Sequence, residues 1–326
     1  MTLLRRNILL ALGAFALSAW GRAQAQGRLI RIGMISSASP AVGGQFFEAF
    51  RKGMRELGYL DGQNVEYFLG YAEGRNERIE TLAREYVERR VDVIIAGNST
   101  ATAIAQNATR TIPILMVAAD PVDFGLIASL ARPGGNTTGL SSQFEDTLLK
   151  MIQLLKEVVP KTKRFGILWG DSKLAGSKWK PRLDNAATRM NIDFVYVDAK
   201  RPEQLNDVSQ TFAARKVQAI AVPAFANFLG MVNEIDDLVY RMRLPSIFTH
   251  RQFLRSGGLL SFGPDIVDLF YRLATYAHKV IRGENPAQIP VQQPTKFELV
   301  INLKTAKALG LTIPQSVLQR ADEVIQ

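Results

Sequence analysis

Residues 91–120 read VDVIIAGNSTATAIAQNATRTIPILMVAAD. Within this stretch, the predominantly apolar run Val91–Ala96 predicts a strand that is covered on both faces, because it lacks the regular alternation of a half-exposed strand. Ala101–Arg110 predicts a helix, and Ile112–Ala118 predicts a second apolar strand. A strand, a helix and a strand in this order are typical of a parallel β/α unit, in which the helix covers one face of the sheet.

The same alternation continues on both sides of this stretch. Leu29–Ile35 predicts a strand, and Gln45–Leu57 predicts a helix in which Phe46, Phe50 and Met54 recur on one face. Further strands are predicted at residues 65–71, 164–169, 193–197, 217–222, 245–249 and 297–302. Further helices are predicted at residues 78–90, 148–159, 228–242 and 266–282. The series predicts an α/β fold with parallel sheets and helices on both faces.

A turn at Pro133-Gly134-Gly135 divides the series into two parts. With about 300 residues beyond its N-terminal segment, the chain also exceeds a typical single domain. We therefore predict two doubly wound parallel-sheet lobes around a central cleft. Residues 28–142 plus 258–285 are assigned to lobe 1, and residues 146–256 plus 290–326 to lobe 2.

The N-terminus has the three-part pattern of a secretory signal peptide. Arg5 and Arg6 precede an apolar or small-residue run of 13 residues, Ile8–Trp20, and Ala23-Gln24-Ala25 matches a cleavage site. A membrane anchor is disfavoured, because spanning a bilayer takes roughly 20 apolar residues. We predict export to the periplasm and removal of residues 1–25, by either the general or the twin-arginine route.

Charge and composition narrow the function classes. The formal net charge is +10, but the charges are scattered, so we predict a solvated basic surface and no nucleic-acid partner. The chain has no cysteine, which excludes disulfides, thiol catalysis and cysteine-ligated metals. A lipid attached to cysteine is excluded for the same reason. We expect a protein that is not embedded in the membrane.

Six segments match the motifs of a known family. They are residues 50–64 (FRKGMRELGYLDGQN), 72–79 (AEGRNERI), 91–96 (VDVIIA), 120–121 (DP), 126–139 (LIASLARPGGNTTG) and 290–326, which contains QPTKFELVINLKTAKALGLTIP and RADEVI. In these segments the chain resembles the ABC-transporter substrate-binding proteins of the tryptophan and tyrosine type. The resemblance implies a type 1 periplasmic-binding fold with three crossings between the lobes. It also implies a protein that captures a small-molecule solute, an aromatic amino acid for some relatives, and works with an ABC permease and its ATPase. We expect the protein to be a monomer.

Polar residues follow several predicted strands of lobe 1, where open parallel sheets bind ligands. The candidate ligand-binding residues are Ser36, Ser37, Asn98, Ser99, Thr100 and Asp120. Asn98 and Ser99 open a predicted helix, whose free N–H groups and dipole suit a carboxylate. Ordinary N-capping is the alternative role, and the two roles are compatible. Asp120 either pairs with a ligand amine or caps the helix that Pro121 begins.

Lobe 2 offers a corresponding set at the ends of its own strands, and one more aromatic candidate comes from the segment 258–285. The candidates in lobe 2 are Trp169, Asp171, Phe225, Asn227 and His250, and the further candidate is Phe262. The three aromatic rings either stack on a flat ligand or lie in the core. His250 follows a strand and is positioned to hydrogen-bond a ligand.

The sequence contains no recognisable catalytic motif. G-x-S-x-G, a P-loop, G-x-G-x-x-G and H-E-x-x-H do not occur, and His250 and His278 do not have the spacing of a metal site. We predict a binding protein without cofactor or metal, not an enzyme. Two alternatives remain open at this point, a periplasmic ligand sensor of the same fold and an exported hydrolase.

Overall fold

The structure, a computed structural model, describes residues 28–170, 172–254 and 257–326. The predicted signal peptide over residues 1–25 and the candidate Asp171 lie outside the described residues. None of the described helices has the length and hydropathy of a membrane span.

The first sheet is built from the N-terminal β/α units. Its described strands are β1 (Ile30–Ser36), β2 (Val65–Tyr71), β3 (Val93–Ala96), β4 (Ile114–Ala118) and β5 (Thr137–Ser141). They lie in the order β2-β1-β3-β4-β5, and every neighbouring pair is parallel. The strands β1 to β4 are connected by α1 (Pro40–Glu56), α2 (Asn76–Glu88) and α3 (Ser99–Ala108). Every residue of β3 and β4 is buried, which confirms that helices or loops cover both faces.

The second sheet follows the same principle with more strands. Its described strands are β6 (Arg164–Trp169), β7 (Asp193–Asp198), β8 (Ala219–Val222), β9 (Ser246–Phe248), β10 (Leu260–Pro264), β11 (Phe297–Asn302) and β12 (Glu323–Ile325). They lie in the order β12-β11-β10-β9-β8-β6-β7, and β10 and β11 are antiparallel. The chain also forms α4 (Phe144–Val158), α5 (Ser172–Arg189), α6 (Leu205–Ala214), α7 (Val232–Met242), α8 (Ile266–Ile281), α9 (Leu303–Ala308) and α10 (Gln315–Leu318). Two sheets of β/α units confirm the predicted fold class.

The C-terminal third corrects the predicted division into lobes. Residues 258–285 are predicted in lobe 1, but β10 pairs in the second sheet, where Leu260 lies opposite both Ile247 and Ile301. The helix α8 does pack on α1, and there Phe46 stacks on Phe270 with ring centroids 5.4 Å apart. A strand pattern does not say which sheet the strand joins, because that choice depends on contacts distant in sequence.

In the structure, lobe 1 consists of the first sheet with α1, α2, α3 and α8. Lobe 2 consists of the second sheet with the remaining helices, and these definitions replace the predicted bounds. The segment before β11 still belongs beside β5, since Gln292 O accepts a hydrogen bond from Ser141 N at 2.8 Å. We propose that the chain crosses between the lobes near residues 142, 265 and 293, in keeping with the three crossings that the resemblance implies.

The strand β5 was not predicted, and its sequence explains why. It reads TTGLS, which is polar and contains Gly139 with φ of 139°. A Cβ atom at Gly139 would lie 2.2 Å from the carbonyl oxygen of Met116 on β4. The glycine therefore lets two strands approach closely, but a glycine inside a short segment with one large apolar residue, Leu140, weakens the pattern that identifies a strand.

Candidate functional site

A cavity of about 140 Å³ lies between the two lobes. Residues at or after the ends of β1, β3 and β4, together with residues of α8, line it from lobe 1. Residues that follow β8 and β9, together with the last residue of β10, line it from lobe 2. The cavity is therefore at the carboxyl ends of strands from both sheets, which is where open α/β sheets bind ligands.

The lobe 1 side of the cavity carries a polar wall, formed by Ser36, Ser37, Asn98, Ser99 and Thr100. Asn98 Nδ2 donates a hydrogen bond to Ser37 Oγ at 2.7 Å, and Asn98 Oδ1 accepts one from Ala101 N at 2.9 Å. Ser99 Oγ accepts a hydrogen bond from Ala119 N at 3.0 Å. These bonds fix the side chains before any ligand arrives.

The first turn of α3 gives the polar wall its donor groups. The first hydrogen bond of this helix runs from Thr102 N to Asn98 O at 3.0 Å. The backbone N–H groups of Ser99 and Thr100 precede that bond, so the helix itself offers them no acceptor. Together with the helix dipole, such N–H groups form a binding site for a carboxylate or another anion.

The lobe 2 side of the cavity carries an aromatic wall, formed by Phe144, Trp179 and Phe225. Phe144 stacks on Trp179 with ring centroids 4.0 Å apart and an interplanar angle of 12°. The ring centroids of Phe225 and Phe144 are 5.2 Å apart, and those of Phe124 and Trp179, which meet edge-on, are 4.8 Å apart. A Cβ atom at Gly170 would lie 2.4 Å from Phe225 Cβ, so only glycine after β6 leaves room for this ring.

The described lining of the cavity carries no Asp, Glu, Lys or Arg side chain. His250 is its one described titratable side chain of the Asp, Glu, His, Lys and Arg types, and burial lowers the pKa of His250 to about 4. His250 is therefore neutral at pH 7. A charged ligand group would be bound by dipoles and hydrogen bonds in this lining and not by a formal counter-charge.

Ionic contacts join the lobes beside the cavity. The Nη1 atom of Arg182 on α5 lies 3.0 Å from Oδ2 of Asp123, which follows β4. The same nitrogen lies 2.7 Å from Oε2 of Glu145 at the start of α4. Arg182 is half exposed, so each contact is screened by water. Since Asp123 belongs to lobe 1 and Arg182 to lobe 2, the contact requires the lobes to be close together.

Comparisons with known proteins match this architecture. The family model described as "ABC transporter substrate binding protein" matches residues 41–325. This chain belongs to that family. A tyrosine-binding protein of Clostridioides difficile (strain R20291) is 28% identical over 265 residues, which cover 81% of this chain and 76% of the relative.

Solved structures of similar proteins have the same fold. The ABC domain in complex with L-Trp from Streptococcus pneumonia is 25% identical, with a TM-score of 0.84, and the match covers 91% of this chain and 100% of that one. A conserved domain protein from Vibrio cholerae is 24% identical, with the same TM-score of 0.84 and the same coverage. The predicted type 1 periplasmic-binding fold is confirmed. The family is one of substrate-binding proteins, which also confirms that the chain is not an enzyme.

Seven predicted site residues of this substrate-binding protein line the cavity. They are Ser36, Ser37, Asn98, Ser99, Thr100, Phe225 and His250. Asn98 also caps α3, so the structure gives it both of the roles that the sequence left open. Their contact with a ligand stays a prediction.

Three other predicted residues do not line the cavity. Trp169 is fully buried on β6, behind Phe225, with ring centroids 4.9 Å apart. Phe262 stacks on Phe297 at 5.6 Å across β10 and β11. Asn227 Nδ2 donates a hydrogen bond to Ala199 O at 2.9 Å. Each of these side chains contacts residues of its own lobe. A position near a strand end does not fix the direction of a side chain, so a residue there need not reach the cavity.

Asp120 follows β4 as predicted, but its carboxyl group caps a different helix from the one predicted. It does not line the cavity, and its Oδ2 accepts a hydrogen bond from Glu145 N at 3.0 Å. Burial raises the pKa of Asp120 to about 6, and the nearby Asp123 and Glu145 add to the increase. The carboxyl group thus caps α4, whose own N-cap residue Gln143 makes no side-chain cap. This bond links lobe 1 to the first helix of lobe 2.

Several lining residues were missed by the sequence analysis. Trp179 lies in the first half of α5, and Phe124 lies in the turn that begins at Pro121. Phe46 and Phe270 come from the two helices that pack on each other in lobe 1. None of these follows a strand directly, so the rule that selects strand ends does not find them.

Proposed function

We propose that this substrate-binding protein is exported to the periplasm and captures a small aromatic carboxylate there for an ABC importer. The class includes aromatic amino acids and related acids. The observation that carries the proposal is the cavity itself, which sets a hydrogen-bonded polar wall opposite an aromatic wall.

The two walls suit the two ends of such a ligand. The N–H groups at the start of α3 and the hydroxyl groups of the polar wall can hold a carboxylate without a lysine or arginine. Stacked and edge-on rings of the aromatic wall bind a flat apolar ring through burial and quadrupole contacts. Tyrosine and tryptophan occur in the names of similar proteins, which agrees with this ligand class.

Binding between two lobes also supplies a signal for transport. A ligand that contacts both walls favours the arrangement in which the walls are close, because it interacts more strongly with that state. We propose that the permease recognises this closed form and that its ATPase drives release. Export rests on the signal peptide predicted over residues 1–25.

The proposal is tested by ligand-induced stabilisation of the mature chain, residues 26–326. A panel of aromatic amino acids, aromatic acids, aliphatic amino acids, amines and nucleosides is added, and the thermal midpoint is measured. At 100 times its dissociation constant, a true ligand stabilises the folded state by about 2.7 kcal/mol. Calorimetry on each hit gives its affinity. Stabilisation by none of the aromatic carboxylates would contradict the proposed ligand class.

Transport is tested separately from binding. Cells that lack the gene should lose uptake of the labelled ligand, and cells that carry it should regain uptake. Normal uptake in the deleted strain, together with tight binding in vitro, would favour the periplasmic sensor instead.

A further inference from the structure

Phe124 is a lobe 1 residue whose ring meets the aromatic wall of lobe 2. Its side chain is partly buried, lines the cavity and contacts Trp179 with an angle of 87° between the two rings. Among the ring contacts of the described residues, this is the one that joins the two lobes. Phe46 and Phe270 also line the cavity from lobe 1, but they stack on each other within that lobe.

The packing of Phe124 depends on both lobes. On one side the ring packs against a cluster of lobe 1 that contains Met116 and Leu126. On the other side it packs against the core of lobe 2, to which Phe144 and Trp179 belong. If the lobes separate, the first contact stays and the second is broken, which exposes apolar surface to water. The second contact therefore stabilises the closed arrangement relative to an open one.

The turn that carries Phe124 is held by its own backbone. Phe124 N donates a hydrogen bond to Asp120 O at 3.2 Å, and Leu126 N donates one to Pro121 O at 2.9 Å. Gly125, with φ of 69°, lets the chain reverse directly after the ring. The position of the ring is thus a property of lobe 1, and lobe 2 supplies a surface that it meets on closure.

The ionic contact between the lobes lies beside this ring contact. Arg182 comes three positions after Trp179, which places the two side chains on one face of α5. Its Nη1 atom donates a hydrogen bond to Oδ2 of Asp123 at 3.0 Å, and Asp123 directly precedes Phe124. A buried apolar contact and an exposed ionic contact therefore span the same junction. Of the two, the apolar one is shielded from salt.

We propose that Phe124 is a ligand-retaining residue, whose contact with Trp179 holds the lobes closed over the bound molecule and slows its release. This inference rests on the proposed function, because it assumes that an aromatic carboxylate occupies the cavity. The walls come from both lobes, so a ligand that touches both leaves only after they separate. Phe124 is accordingly a positioning residue, since it acts on the ligand through the position of lobe 2.

The first test compares release rates in two matched variants. Phe124→Leu and Phe46→Leu each replace a cavity-lining phenylalanine of lobe 1, but only the first removes a ring contact between lobes. Stopped-flow measurements with L-tyrosine, or with another aromatic carboxylate that stabilises the wild type, give both rate constants. We expect Phe124→Leu to raise the dissociation rate constant about fivefold, because an aromatic pair changes an equilibrium by about two- to tenfold. The association rate constant should stay within about twofold of wild type.

The second test measures closure itself. The chain has no cysteine, so spin labels on Glu80→Cys in α2 and Glu234→Cys in α7 mark one exposed helix position in each lobe. Double electron–electron resonance then gives the ratio of open to closed protein with and without the probe. Phe124→Leu should raise this ratio about fivefold. Phe46→Leu should leave the ligand-free ratio unchanged, since it breaks no contact between the lobes.

The outcomes separate this inference from the proposed function. If the wild type binds no aromatic carboxylate, the proposed function fails and this inference fails with it. If it binds one and Phe124→Leu releases it at the wild-type rate, ligand retention by Phe124 is overturned and the proposed function survives. Faster release with an unchanged ratio of open to closed protein would make Phe124 a simple ligand contact, which also overturns the proposal. If Phe124→Leu does not fold, Phe124→Met gives the same comparison with a side chain of similar volume.

Discussion

The polar wall and the aromatic wall face the same cavity but are held in place in different ways. Side-chain and backbone hydrogen bonds fix the polar wall, from Asn98 to Ser37 and from Ala119 to Ser99. Ring packing alone fixes the aromatic wall, with Phe144 stacked on Trp179. The polar wall offers donors of fixed direction, and the aromatic wall offers a surface of fixed shape. We infer that the polar wall selects the charged group of the ligand and that the aromatic wall selects the ring attached to it.

The largest expected effect comes from the polar wall. Asn98→Ala removes the cap of α3 and the hydrogen bond to Ser37, so the carboxylate site loses its shape. We expect the affinity for an aromatic carboxylate to fall about 100-fold, in line with the loss of hydrogen bonds to a charged group. Isothermal calorimetry measures this change.

A second N-cap asparagine serves as the control. Asn302 caps α9 by accepting a hydrogen bond from Thr305 N at 3.1 Å, and it does not line the cavity. Asn98→Ala and Asn302→Ala should each lower the free energy of unfolding by about 1 kcal/mol. Equal affinity in the two variants would mean that Asn98 acts only as a cap.

The aromatic wall should show the next largest effect. Phe144→Leu keeps an apolar side chain at the start of α4 but removes the ring that stacks on Trp179. We expect about a tenfold loss of affinity, since an aromatic pair is worth about 0.5–1.5 kcal/mol beyond the area that it buries. The buried Phe165 on β6 does not line the cavity, and Phe165→Leu should destabilise the fold without this loss. A similar loss in both variants would point to general destabilisation.

The two walls also differ in how far the sequence predicted them. The polar wall follows β1 and β3 directly, and every one of its residues was selected because parallel strands bring their carboxyl ends to one edge. In the aromatic wall, only Phe225 was selected. Trp179 lies between Lys178 and Lys180, a context that predicts an exposed side chain, and its burial depends on how α5 packs on α4.

The same limit applies to the fold. The alternation of strands and helices predicted the α/β class and the bounds of β2, β6 and β11, which are local properties of the sequence. The sheet that β10 joins is set by pairing with Ile247 and Ile301, and no local pattern contains that information. The position of Trp169 behind Phe225 was missed for the same reason.

Contacts outside the two walls should have a smaller effect. Arg182→Gln removes the ionic contacts with Asp123 and Glu145 that link the lobes. We expect affinity to fall about threefold at low salt and less at high salt, because exposed ion pairs are weak and screened. Arg241→Gln breaks a comparable exposed pair with Asp237 within α7 and should leave affinity unchanged. A salt-independent loss in Arg182→Gln would argue against a role in closure.

The smallest effect concerns Asp120, which does not line the cavity. The pKa of Asp120 rises from 3.8 to about 6 on folding because the carboxyl group is buried. Between pH 4 and pH 6 the folded chain therefore binds more protons at this site than the unfolded chain, so the contribution of Asp120 to stability falls as the pH rises through this window. Asp120→Asn keeps an acceptor for Glu145 N but does not titrate, so this part of the pH dependence should disappear.

Thermal midpoints of both proteins, measured from pH 4 to pH 7, test this sign. The difference between variant and wild type should grow in favour of the variant as the pH rises and should level off above the pKa of about 6. Binding separates the helix cap from the predicted ion pair with a ligand amine. If Asp120 only caps α4, Asp120→Asn should change the affinities for L-tyrosine and for its deaminated analogue by the same factor. A loss of affinity confined to L-tyrosine would instead indicate that Asp120 pairs with the ligand amine, which would place a charge at the edge of the polar wall.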